Sequence, residues 1–108
     1  MRIVRRRRAV EDIDEHAAYI AERNQRAAFR FLEKVEETFD LLARHPRIGS
    51  PRFNDLVPGL RAWPVVSFRS YVVLYFVNRG AVRVVRVVHA TRDLEALFKG
   101  PWTELPRG

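Results

Sequence analysis

A chain of 108 residues is the size of one ordinary domain, long enough to bury a core and too short to divide comfortably into two. Its 47% hydrophobic and 31% charged residues exclude an intrinsically disordered chain, and the lack of cysteine excludes disulfides and thiolate metal sites. The net charge of +7 is unevenly spread: residues 11–40 hold nine acids against four bases, so the excess of positive charge lies elsewhere, and all bases but Lys34 and Lys99 are arginine.

The three histidines, His16, His45 and His89, have no metal-ligand spacing, and neither a metal nor a cofactor is expected. A signal peptide would need an apolar segment where Glu11, Asp12, Asp14 and Glu15 stand, and the longest uncharged apolar run, residues 70–78, is well short of the ~20 that a membrane helix needs. The expectation is a cytoplasmic protein with no membrane partner. Its charge asymmetry suits nucleic acid or an acidic protein, and simple solubility explains it equally well.

In chain order, "RIVRRRR" reads as an edge strand guarded by charge, or else as a basic arm; the strand is the preferred reading. From Ala9 to about Arg23, Val10, Ile13, Ala17 and Ile20 recur at helical spacing. Asn24 interrupts, and Ala28, Phe31, Leu32, Val35, Phe39 and Leu42 resume the same period until Pro46 ends it. Two helices so closely joined predict an antiparallel hairpin. Residues 46–59, with three prolines and two glycines, predict a loop pinned by Phe53 and Leu56.

"LRAWPVVSF", "SYVVLYFVN" and residues 81–89 are β-branched and aromatic, and "NRG" at 78–80 predicts a tight turn between the last two strands. "TRDLEALFKGP" predicts a short helix capped by Thr91, with Asp93 and Glu95 in its first turn and a stop at Gly100 and Pro101. The fold class expected is α+β: an N-terminal strand, a two-helix antiparallel hairpin, an antiparallel three-stranded meander and a short C-terminal helix. Residues 1–100 form the single domain and 101–108 a loosely held tail. With helices on one face of the sheet, the opposite face is expected to be free for binding.

Alternation sets Tyr71 and Tyr75 on one side of their strand, and the next strand adds Arg83, Arg86 and His89. One face of the hairpin is expected to be apolar and the other to mix tyrosines with cations; the register that decides Arg86 is not legible. Arginine with tyrosine suits phosphate gripping and base stacking, and equally suits half-buried sheet residues with snorkelling arginines. His89 has an acid–base range near neutrality, although a lone histidine at a strand end is more often structural. No phosphate loop, nucleophile elbow or histidine pair is present.

The series "AVEDIDEHAAYIAERNQRAAFRFLEKVEETFDLLARHPRIGSP", "GLRAWPV", "YVVLYFV" and "RVVRVVHATRD" resembles the ParE branch of the RelE/ParE superfamily of type II toxin–antitoxin toxins, over roughly residues 3–98. That resemblance implies the same fold, a role in plasmid stabilisation or growth arrest, and a ParD-like antitoxin whose flexible acidic segment folds over the toxin as a hetero-oligomer. ParE-like members are associated with DNA gyrase, and RelE-like members cut messenger RNA on the ribosome. Arg69 and Arg92 fall near functional arginines of the ribonuclease branch, but Phe98 stands where a catalytic tyrosine is expected, and Arg44, Arg47 and Arg52 replace its lysine-rich stretch. Arginine binds phosphate and shuttles protons poorly. A gyrase inhibitor without catalysis of its own is therefore preferred, with a ribosome-dependent endoribonuclease or a nontoxic antitoxin-binding module as alternatives. No catalytic residue is assigned, antitoxin contacts are unassigned, and the target-binding candidates are Arg69, Tyr71, Tyr75, Arg86, His89 and Arg92.

Overall fold

The computed structural model describes residues 1–99. Strand β1 (Arg2–Arg5) leads into helix α1 (Arg7–Ala21), and helix α2 (Gln25–Arg44) returns antiparallel to it. Strands β2 (Arg61–Val65), β3 (Phe68–Asn78) and β4 (Ala81–His89) form the meander, and a short helix α3 (Leu94–Lys99) follows. The sheet order is β1-β4-β3-β2, with β1 parallel to β4 and the other pairs antiparallel. The expected α+β architecture is present. No described helix is long and apolar enough to cross a membrane.

Local chemistry explains most boundaries. The Asn24 side chain accepts the Ala27 N–H at 3.1 Å, so the residue that interrupts the helical pattern is the N-cap of α2. Arg79 (φ 50°) and Gly80 (φ 72°) form the two-residue hairpin turn that "NRG" predicts, with both central residues left-handed. The arginine run divides differently from its expected reading as one charged strand. β1 stops at Arg5, while Arg7 and Arg8 open α1, where Arg8 lies 3.5 to 3.8 Å from Glu11, Asp12 and Glu15 one turn or two further on. Arg5 ties β1 to α2 through a two-pronged pair with Glu36, its guanidinium over the Phe39 ring.

Both faces of the sheet are covered. Ile13, Phe31, Val35, Phe39 and Leu42 of the helices pack on Tyr71, Val73, Tyr75, Val82, Val84 and Val87. On the reverse, Val72, Leu74, Phe76, Val85 and Val88 bury against Val57 and Leu60 of the loop, with Phe53, Leu94 and Leu97 at the margin. The expectation of a free second face is therefore corrected. A strand apolar at every position, as residues 71–77 are, has two faces to remove from water, and the 51–60 loop with α3 covers the second. Within that loop Phe53 packs as expected, whereas Leu56 is 64% exposed and the anchors are Val57 and Leu60.

A bulge changes the alternation on β4. Leu74 pairs with Arg86 and Tyr75 with Val84, so Val85 is the extra residue. Val82, Val84 and Val87 thus face the helices while Val85 and Val88 face away.

Candidate functional site

β1 pairs with β4 only as far as Val84, and the Arg6 N–H to the Val84 carbonyl (3.0 Å) is the last rung. Beyond it the β4 edge would present unpaired peptide groups to α1, and two α1 side chains one turn apart supply the missing partners. Asp12 accepts the Val87 N–H at 3.0 Å, and the His16 Nε2–H donates to the Val87 carbonyl at 2.8 Å. Asp12 also accepts from Arg86 Nε and a terminal nitrogen at 2.7 and 3.0 Å. Asp12 is 3% and His16 7% exposed. Arg86 is therefore a half-buried structural partner and does not join an open cationic face. Neither Asp12 nor His16 was singled out from sequence, although two polar groups inside an apolar helical stripe, with an arginine in the middle of a valine-rich strand, are the signal that finds them.

Tyr75 is fully buried on the helix side. Its hydroxyl donates to the Pro46 carbonyl at 2.8 Å and accepts the Gly49 N–H at 2.9 Å, while burial pushes its pKa above the usual phenol value. Arg61, paired with Tyr75 across β2 and β3, donates to the Arg47 and Gly49 carbonyls. Residues 46–49, "PRIG", are thus a loop moulded onto a tyrosine hydroxyl. Tyr71 is also buried, among Phe31, His16 and His89, with ring centroids 4.8 to 5.1 Å away. The expected mixing of tyrosines and cations on one open face is corrected: the tyrosine face is the one on which the helices pack, and both rings bury their apolar area there.

The remaining candidates, Arg69, His89 and Arg92, lie at the end of the sheet where β4 leaves. The Ala90 N–H donates to the Ser70 carbonyl at 2.7 Å, which holds the exposed Arg69 segment beside the 89–93 turn. That turn is closed three times. Asp93 N–H donates to the His89 carbonyl (2.9 Å), the Asp93 carboxylate accepts the His89 N–H (2.7 Å), and His89 Nδ1 accepts the Arg92 N–H (3.2 Å). Asp93 precedes α3, and its carbonyl takes the Leu97 N–H at 2.8 Å. Thr91 stays exposed in the turn, so the cap expected of it falls two residues later, where the helix starts. The Phe98 side chain, the Gly100–Pro101 stop and the tail 101–108 lie outside the described residues.

His89 is held below the ordinary imidazole pKa, first by burial and then by the Arg92 charge. A lowered folded value means that the neutral ring stabilises the fold fully above the unfolded pKa of about 6.5. That contribution is lost as pH falls through the folded value. In a proton NMR titration the His89 ring is expected to show a midpoint below 6.5, and Arg92→Ala to move it upward; a midpoint at or above 6.5 would contradict the assigned surroundings.

The Arg92 guanidinium leaves the turn to lie 4.7 Å from the centroid of Tyr19, and Arg23 lies 4.2 Å from the same ring. Tyr19 is 41% exposed. Neither Tyr19 nor Arg23 was legible as part of this surface, because their approach to residue 92 is made only by the hairpin docking on β4.

This architecture is shared with solved structures. The chain of a structure described as the chromosomal ParDE TA system from P. aeruginosa superposes with a TM-score of 0.70 at 17% identity, covering 82% of this chain and 95% of that one. No curated protein matches significantly. The family model described as the ParE toxin of the type II toxin–antitoxin system, parDE, matches residues 3–94. The chain belongs to the ParE toxin family.

Proposed function

We propose that the protein inhibits DNA gyrase without catalysis of its own, in the cytoplasm, and is neutralised by a ParD-like antitoxin. The observation that carries the noncatalytic reading is the state of the end of the sheet. Its exposed groups, Arg69 and Arg92, are guanidiniums, which bind anions and do not exchange protons near neutrality. Beside them, His89 spends its Nδ1 lone pair on the Arg92 N–H, so the neutral ring carries its proton on Nε2 and has no free basic nitrogen. An acidic, flexible antitoxin segment suits the charge of +7, with electrostatics accelerating encounter and apolar anchors supplying affinity.

Expression without antitoxin is expected to arrest growth with DNA-damage signalling while messenger RNA on ribosomes stays intact. Cleavage of that RNA would transfer the function to the ribonuclease alternative, and normal growth would favour the nontoxic module.

A further inference from the structure

Arg23 and Arg92 come from distant parts of the chain, yet their guanidinium carbons lie 4.2 and 4.7 Å from the centroid of one exposed tyrosine ring. The two cations can be no farther apart than the sum of those distances. Like charges so placed repel, and side-chain stacking on Tyr19 offsets only part of that at an exposed site. Elsewhere Arg5 is matched to Glu36, Arg86 to Asp12 and Arg8 to Glu11 and Glu15, while Arg61 is spent on the Arg47 and Gly49 carbonyls. At this cluster the matching fails. Arg23 has no ion pair among the described residues. Arg92 has only a 3.8 Å approach to Asp93, whose other oxygen is held by the His89 N–H.

We propose that Tyr19, Arg23 and Arg92 form a binding site for a phosphate group. Each guanidinium presents a planar fork of N–H donors, and stacking on a ring face leaves the edge of the fork directed outward. A carboxylate has two oxygens and so meets only one such fork with both prongs, whereas a tetrahedral phosphate has enough oxygens to meet two. The triply closed 89–93 turn fixes the backbone of Arg92. The helix-end bonds from Arg23 and Asn24 N–H to the Ile20 carbonyl (3.0 and 2.9 Å) fix that of Arg23. With both backbones fixed and both side chains resting on the Tyr19 ring, less ordering is required when an anion arrives. The site stands independently of the gyrase reading, because phosphate binding is a property of the isolated chain.

The test is a titration of the isotope-labelled full chain with sodium pyrophosphate and, separately, with trithymidylate, following the arginine Nε–H resonances. Arg52, whose guanidinium carbon lies 4.5 Å from the Phe53 ring centroid, serves as the internal control. The Arg23 and Arg92 resonances are expected to shift together and saturate with one dissociation constant while Arg52 drifts without saturating. Arg23→Gln, confirmed folded by its backbone spectrum, is expected to weaken the response at Arg92 at least tenfold. Tighter binding of trithymidylate would identify a nucleic-acid strand as the source of the phosphate, and tighter binding of pyrophosphate a free polyphosphate; both support the site. Shifts at Arg23 and Arg92 no larger than at Arg52, or an unchanged affinity at Arg92 in Arg23→Gln, would overturn it.

Discussion

Asp12→Ala is expected to remove about 3–5 kcal/mol of folding stability, a large share of what a domain of this size possesses. The carboxylate is 3% exposed and meets three demands at once: two donors of Arg86 and the Val87 N–H. Its removal strands a guanidinium whose side chain is only 15% exposed and orphans a peptide group at the β4 edge. Urea unfolding separates the two contributions. Replacing both charges, Asp12→Leu with Arg86→Met, is expected to recover much of the loss, because a buried ion pair is worth little against well-packed apolar groups. The double variant should still lie about 1–3 kcal/mol below the parent, since the Val87 N–H remains unpaired. Full recovery would mean that α1 does not act as a substitute strand for β4.

Gly49→Ala is expected to cost about 1–3 kcal/mol by overpacking, although the new side chain is a single methyl. A Cβ at that position would stand 2.3 Å from the Tyr75 hydroxyl oxygen and 2.8 Å from two ring carbons. Tyr75 is fully buried and cannot swing away. Tyr75→Phe is expected to cost a similar amount for a different reason, because the Gly49 N–H and the Pro46 carbonyl lose their partner. The two changes share one contact, so their costs should not add in a double-mutant cycle, and simple additivity of the urea-derived values would contradict the moulded loop. The same hydroxyl makes the protein sensitive to alkali. A raised folded pKa gives stability that is full below the ordinary phenol value near 10 and is lost as pH rises through the folded one.

Element types and their order were legible because they rest on period: 3.6 through Ile13, Phe31 and Val35, near-continuous apolar runs through 71–77, and turn residues at Arg79 and Gly80. Side-chain roles were less legible, for two reasons of geometry. The bulge at Val85 shifts the facing of β4 by one residue, which no alternation rule anticipates. The helices pack on the face that carries Tyr71 and Tyr75, and these look like surface chemistry when the Val72, Leu74 and Phe76 face alone is assigned to burial. Conversely, His89 and Arg92 stand among the target-binding candidates, and Thr91 and Asp93 read as the start of a helix. Together they form the turn that closes β4 and aims Arg92 at Tyr19. Asp12, His16, Gly49 and Arg61 act through partners more than ten residues away, so their roles emerge only when the chain is folded.

The action proposed for this ParE-family chain is to bind gyrase. Its most direct test is supercoiling of relaxed plasmid by purified gyrase in the presence of refolded, antitoxin-free protein, beside an Arg92→Ala variant confirmed to be folded. The parent is expected to abolish supercoiling and the variant to do so far less effectively. Undiminished supercoiling at saturating parent protein would contradict the proposed action.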